Sequence, residues 1–493
     1  MGRALLTLSL LCAVCAAQEI HDHPVPEKLG SVSFPISCSP AVQPQFNRAI
    51  ALLHSFAYTA AAIAFQSVAA QDPHCAMAHW GIAMTYYHQL WDPPLPARSI
   101  PTAYAEIQAA QHIGSTSSRE RQFVQALSLI YQNTSTIPYT TRASYYEDAM
   151  RDLAAQNSAD TEAQVFYALA LLANAPPTDK THAKQKQAVA ILEPLWNTHH
   201  DHPGIPHYLI HACDNTELAS RGLPAARAYA LIAPVAPHAL HMPSHIFTRL
   251  GLWDDSIASN LAARAAAHLQ GDTGEELHAM DYLVYAYLQS NRDTDAVSII
   301  HQLALMPQLN MSDFKVAYAA TAIPLRYAVE RGQWADAARV IPTSAAQPQV
   351  IAIAVWARGF GLARTGQINA ARAAISRLHQ LEAQLRATGN NYWATQVAVL
   401  RRELRAWSAQ AAQRPDEAAS LLRAAADEED AVEKLPVTPG PIIPAREQLG
   451  DLLLEQNHPA EALQEFKTAL VNSPGRRGAI SGATKATRLA TSR

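Results

Sequence analysis

The sequence is short of charge. Only 16% of its 493 residues are Asp, Glu, Lys or Arg, and the formal net charge is −4, so there is no basic field to draw in a nucleic acid. Glycine is scarce too, at 19 residues. No Gly-rich phosphate loop, G-x-S-x-G elbow or H-E-x-x-H pair is present, which removes the usual sequence evidence for kinase, α/β-hydrolase or zincin chemistry. After the first residues no apolar run reaches the roughly 18 to 20 residues that cross a bilayer, because Arg, Gln, His and Asp interrupt the alanine-rich segments. Alternating strand-like stretches bounded by hairpin turns are missing as well. What is there is helical periodicity throughout, rich in Ala, Leu and Gln, with prolines clustered between periodic segments at WDPPLPAR, NAPPTDK and LPVTPGPIIP. The chain is expected to be all-α, and a hydrophobic content of 49% is enough for a large core.

The opening residues MGRALLTLSLLCAVCAAQE combine Arg3, an apolar run from Ala4 to Val14 and small residues before Gln18. That is the layout of a secretory signal peptide over 1–17. The expectation is a periplasmic or secreted protein with no integral membrane segment after signal removal, continuing as an extended segment over 18–40. Loss of Cys12 and Cys15 with the leader leaves Cys38, Cys75 and Cys213. An oxidising compartment permits one disulfide, and Cys38 with Cys75 is the expected pair because both flank one predicted helical hairpin. Three unpaired small hydrophobes are the alternative.

Near the C-terminus, AREQLGDLLLEQNHPAEALQEFKTALVNSPGR places Leu449, Gly450, Leu453, Ala462, Phe466, Ala469 and Pro474 at intervals that resemble a tetratricopeptide repeat. Two antiparallel helices need small residues where they touch, here Gly450 and Ala462, and a large one, Phe466, to fill the gap. Further copies run through Gly359, Leu362, Gly366, Ala371 and Ile375, through Ala328, Gly332 and Ala337, and, more weakly, through Tyr287, Ala296 and Ile300 and through Phe247, Gly251 and Ser256. An N-terminal copy carries Ala49, Ala61, Phe65, Val68 and Pro73. Several copies at one period imply a tetratricopeptide-like helical-hairpin solenoid, and the resemblance implies a right-handed superhelix with a concave groove for a peptide or protein partner. The expected organisation is irregular hairpins over 41–200, His-rich hairpins over 201–300, regular repeats over 301–480 and a basic tail over 481–493. The blocks FPISCSP, DPHCAMAHWGIAM, HPGIPHYLIHACD and HALHMPSHIFTRLG resemble a group of exported bacterial tetratricopeptide proteins.

The His-rich region holds two His-x3-His pairs, His207 with His211 and His241 with His245, displaced from each other by 34 residues, which is the repeat length. They therefore occupy equivalent places in consecutive hairpins. By the resemblance, the groove-lining positions are Gly204, His207, His211, Asp214 and Asn215, then His238, His241, His245, Thr248 and Arg249, with His278, Asp281 and Tyr285 in the next hairpin. Residues i and i+4 share a helical face, so four imidazoles are expected to converge on a divalent transition metal, zinc or copper, with His238 and His278 as further ligands. Asp214, Asn215 and Asp281 are expected to orient the rings, and Thr248, Arg249 and Tyr285 to face a groove partner. Met242 and Met280 would soften such a site toward copper, or fill the core. Pro243, between His241 and His245, threatens the geometry of that pair by breaking the helix.

Two other functions remain open at this level. One is a metalloenzyme, hydrolytic or oxidative, with Glu217, Glu275 or Glu276 as a base beside a metal-bound water. The other is a metal-free interaction scaffold. His54, His79 and His88 form a looser group expected between helices, the HDH at 21–23 is expected to do nothing organised, and DEEDAVEK at 427–434 reads as an acidic, solvated helix end.

Overall fold

Short amphipathic segments bury their apolar faces only by folding back on their neighbours, and the chain does this from end to end. In a computed structural model describing residues 27–90, 97–115 and 117–491, all regular structure is helical and no strand occurs among the described residues. The expected leader, the HDH sequence and most of the WDPPLPAR loop lie outside the described residues. No helix among the described residues is long and apolar enough to cross a membrane.

The expected hairpins are present. Ala445–Glu455 pairs with Pro459–Asn472, Pro348–Arg364 with Ile368–Ala387, and Gln43–His54 with Tyr58–Gln71. A Cβ at Gly450 would stand 2.7 Å from the Phe466 ring, and one at Gly482 only 2.2 Å from the same ring. Phe466 thus fills a gap that only hydrogen side chains leave wide enough. Gly482 belongs to the helix Arg477–Thr491, which occupies the stretch expected as a basic tail and buries Ala479 and Ala486. The region expected as irregular hairpins contains the pairs Ser118–Tyr131 with Tyr139–Gln156 and Thr161–Ala173 with Ala183–Trp196. Ser117 and Asp160 cap two of these helices by accepting from first-turn amides.

The apolar interior divides into four clusters strung along the chain rather than one centre, as stacking of neighbours requires. Residues 27–39 form no regular structure; Phe34 enters an aromatic group with Phe46, Trp80, Phe123 and Phe166. Cys38 and Cys75 are joined by a disulfide, and Cys213 is a buried free thiol.

Two features depart from an open solenoid. The C-terminal end returns to the middle of the chain: Trp253 Nε1 donates to Gly475 O at 3.2 Å, and the buried Arg476 pairs with Glu330 and Glu447 while donating to Tyr285. In addition, the loop 431–444 lies against the inner helices. Glu433 N donates to Pro177 O at 2.7 Å, Tyr282 donates to Pro436 O at 3.2 Å, and Arg326 donates to the carbonyls of Gly440 and Pro441. The DEEDAVEK segment is therefore not simply a solvated end, since Glu433 and Lys434 turn inward and are only 12% and 11% exposed.

Candidate metal centre

The helix Gly204–Cys213 carries His207 and His211 one turn apart, both buried. The next inward-facing segment is split. Pro237–His241 ends at Met242, and Pro243–Arg249 begins with proline in its first turn, where the missing amide is no loss. Met242 keeps helical angles, φ −53° and ψ −36°, so the break leaves His241 and His245 on one face with their Nε2 atoms 3.0 Å apart. Pro243 does divide the helix, as the sequence allowed, but the pairing of His241 with His245 survives the break.

The histidines do not converge on one point. They form two trios, His207 with His211 and His238, and His241 with His245 and His278, in each of which the candidate ligand atoms lie within 4.8 Å of one another. Each His-x3-His pair takes its third member from the following chain segment. His207 Nε2 is 3.1 Å from His211 Nε2 and 3.2 Å from His238 Nε2. The trios adjoin, with ring centroids 6.2 Å apart for both His211 to His245 and His238 to His241.

Three of the other ring nitrogens donate to acceptors outside the trios. His207 Nδ1 donates to His54 O at 2.5 Å, His241 Nδ1 to Asn260 Oδ1 at 2.6 Å and His245 Nδ1 to Asp214 Oδ2 at 2.9 Å. Asn260 spends its own amide hydrogens on Ser256 O, which fixes Oδ1 as the acceptor toward His241. His238 Nδ1 faces Glu275 Oε2 at 3.4 Å. A neutral imidazole that donates from Nδ1 offers a bare lone pair at Nε2. His241 and His245 consequently aim two lone pairs at each other across 3.0 Å. In the first trio, His211 Nδ1 is buried with no hydrogen-bond partner. Adding protons is an unfavourable remedy. Burial, and then neighbouring histidines, hold His207, His211 and His241 well below the ordinary imidazole range; burial also lowers His278, and lowers His245 to about 4 against the pull of Asp214.

Of the residues expected to orient the rings, Asp214 does so through His245. Burial opposes its charge, but Lys434 at 2.8 Å and Arg249 at 2.8 Å hold it well below the carboxylate range. Asn215 does not. It accepts from Leu218 N and donates to Ala212 O, closing the turn before the helix Ala219–Ile232. Nor does Asp281, which is bound to Arg326. Sequence reasoning missed Asn260 and His54 O, which lie in other helices, and Tyr282, whose ring packs on His241 and His245 at 4.7 and 5.1 Å. It also missed Phe56, packed on His207 at 4.4 Å and His238 at 5.3 Å. Phe56 has φ +54°, a conformation costly for a bulky side chain.

Of the candidate bases, Glu275 sits at His238 and pairs with Lys315, Glu276 faces Arg264 and His268, and Glu217 faces His182 and Lys186. Met242 and Met280 are core residues. Thr248 bonds Ser256, Arg249 bonds Asp214 and Glu433, and Tyr285 accepts from Arg476. All three also line a cavity of about 140 Å³ bounded on one side by the chain's own loop at Lys434 and Thr438–Pro441.

The looser histidine group is scattered as expected for His79, which bonds Glu106, and for His88, which stacks on Tyr58. His54 instead joins Glu162 and His202 in a third cluster. Its chemistry differs. Glu162 accepts from His54 Nε2 at 2.9 Å and from His202 Nε2 at 3.0 Å, His202 Nδ1 accepts from Gly204 N at 3.1 Å, and His54 Nδ1 meets Tyr208 Oη at 2.9 Å. Every ring nitrogen here has a partner, so this cluster is a hydrogen-bonded strut, and through His54 O it positions His207.

No protein-family profile and no curated protein matches the chain. Solved structures similar to it include the P58(IPK) TPR domain, 12% identical with a TM-score of 0.23 over 92% of this chain and 99% of that one. Yeast Tom70 is 10% identical with a TM-score of 0.33 over 91% and 88%, and an IFIT1 monomeric mutant is 11% identical with a TM-score of 0.38 over 84% and 90%. At such distances the likeness carries no argument, and the tetratricopeptide-like fold stands on the hairpins and their small-residue contacts.

Proposed function

We propose that this chain is a helical-hairpin scaffold that holds transition-metal ions in its two buried histidine trios. The observation that supports this most directly is the pair of Nε2 lone pairs of His241 and His245 facing each other at 3.0 Å while both Nδ1 atoms donate elsewhere. A cation between them removes the repulsion, and a trio of imidazoles in which Asn260 and Asp214 tie the Nδ1 atoms of His241 and His245 is a donor set suited to zinc or copper. The Cys38–Cys75 bond supports placing the protein in an oxidising compartment. A groove for an extended partner has less support, because Arg249 faces Glu433 of the chain's own loop.

Metal analysis of protein purified without a tag or chelator tests the proposal. Zinc or copper is expected in the wild type and absent from a variant carrying Ala at His207, His211, His241 and His245. His79→Ala, at a part-exposed histidine that bonds Glu106 and belongs to neither trio, is expected to leave metal content unchanged. A wild-type protein that retains neither metal after loading with both refutes the reading.

A further inference from the structure

Resting on that reading, we infer that the two trios form one paired copper centre that takes up dioxygen between two cuprous ions. The first ground is adjacency. Rings of different trios are 6.2 Å apart at two places, whereas the widest separations inside the trios are 6.4 Å for His211 to His238 and 6.3 Å for His245 to His278. The six rings are one continuous cluster, and ions bound by the two trios are neighbours.

The second ground is charge. All six candidate donors are imidazole nitrogens, a ligand type that brings no negative charge to a metal, and no carboxylate belongs to either trio. The carboxylates around them are already paired: Asp214 with Lys434 and Arg249, Glu275 with Lys315, and Glu433 with Arg249 and Lys180. Two divalent ions would bring four uncompensated positive charges into a buried site, which is strongly unfavourable. Two cuprous ions bring half of that. Copper binds imidazole well, and its univalent state is satisfied by three donors, while zinc seeks a fourth.

The third ground is the lining. The Phe56 ring packs on the first trio and the Tyr282 ring on the second; the Tyr282 hydroxyl donates to Pro436 O, and its oxygen also stands 3.4 Å from both ring nitrogens of His245. An uncharged, apolar diatomic suits such walls better than a hydrated anion does.

The step balances without a further reactant. Each cuprous ion gives up one electron, dioxygen accepts the two and becomes peroxide bound between two cupric ions, and no proton enters or leaves. Loss of dioxygen returns both electrons.

The test uses the full chain, freed of metal by a chelator, loaded anaerobically with cuprous ion alone and then exposed to oxygen. The expected result is two copper ions per chain, one dioxygen consumed per copper pair and a near-ultraviolet charge-transfer band that fades under vacuum. The oxygenated copper is expected to be silent in electron paramagnetic resonance until the protein is denatured in acid. His211→Asn and His278→Asn, each removing one ligand from one trio, are expected to keep one copper and lose the band. Copper bound without oxygen uptake, or a cupric signal equal to the copper content, overturns the paired centre and leaves metal binding standing. Retention of zinc but not copper does the same. Retention of neither overturns both readings, and all these outcomes can be read from the wild type should the variants fail to fold.

Discussion

Arg326 offers the sharpest test of how the loop 431–444 is held against the inner helices. Its side chain is 0% exposed and that of its partner Asp281 is 1%. The guanidinium donates to Asp281 at 2.6 and 3.1 Å, to Gly440 O at 3.2 Å, Pro441 O at 3.0 Å and Thr438 Oγ1 at 3.3 Å. Arg326→Met keeps much of the volume but strands the Asp281 carboxylate in the interior. Breaking a buried pair by removing one partner costs about 3–5 kcal/mol. The loop acceptors add less, because the loop can swing into water and satisfy them there. The expected change is a fall in amide protection of roughly a hundred- to a few-thousand-fold in the loop and in the helices Thr273–Gln289 and Phe314–Glu330. Hydrogen exchange read peptide by peptide is the right assay, since a solenoid opens by segments and no single unfolding constant describes it. Adding Asp281→Leu removes the stranded charge and is expected to restore helix protection but not loop protection. The reasoning fails if Arg326→Met leaves protection within tenfold of wild type, or if the double variant merely sums two single losses.

Three further outcomes follow from packing and charge. Gly450→Ala pushes a methyl to 2.7 Å from the Phe466 ring and is expected to cost about 1–3 kcal/mol, visible as lost protection confined to the C-terminal hairpins. Reduction of Cys38–Cys75, which closes a separation of 37 residues, is expected to destabilise the N-terminal hairpins by about 4 kcal/mol on the loop-entropy estimate, measured by urea unfolding with and without reductant. Glu403 is 1% exposed, and burial together with the Glu429 carboxylate pushes its pKa well up; Glu429 is itself raised to about 8, chiefly by burial. A carboxyl with a raised folded pKa stabilises below its unfolded value and loses that contribution as pH rises through the folded one. Stability of the C-terminal repeats is therefore expected to fall between about pH 5 and 8 by up to about 1.4 kcal/mol per unit for each group. Glu403→Gln should flatten that slope in chemical denaturation, and an unchanged slope would sink the assignment.

The hairpins were legible because their determinants are local. Gly450 and Phe466, which touch, are only 16 residues apart, inside one hairpin. The two His-x3-His pairs were legible for the same reason. Their grouping was not. His238 joins His207 from 31 residues away and His278 joins His241 from 37, so no single period pairs each trio with its third member. The ring orienters misled for a related reason: Asn215 is used by its own turn and Asp281 by Arg326, and neither competitor shows in local spacing. Lys434, 220 residues from Asp214, is visible only once the chain has closed on itself.

The contrast bears on how such a site arises. A residue that recurs at the repeat length stands at an equivalent place in the next hairpin, as His207 and His211 do to His241 and His245. A repeat by itself leaves those places on a wet groove, where imidazoles titrate near their ordinary value. Enclosure came from parts that do not repeat: Phe56, held at φ +54° past the first hairpin's inner helix, and the loop that brings Lys434 to Asp214 and takes the Tyr282 hydroxyl. These irregular parts bury the histidines, and burial is the largest influence lowering the pKa of His207, His211, His241, His245 and His278, which equivalent places on an open groove would not do.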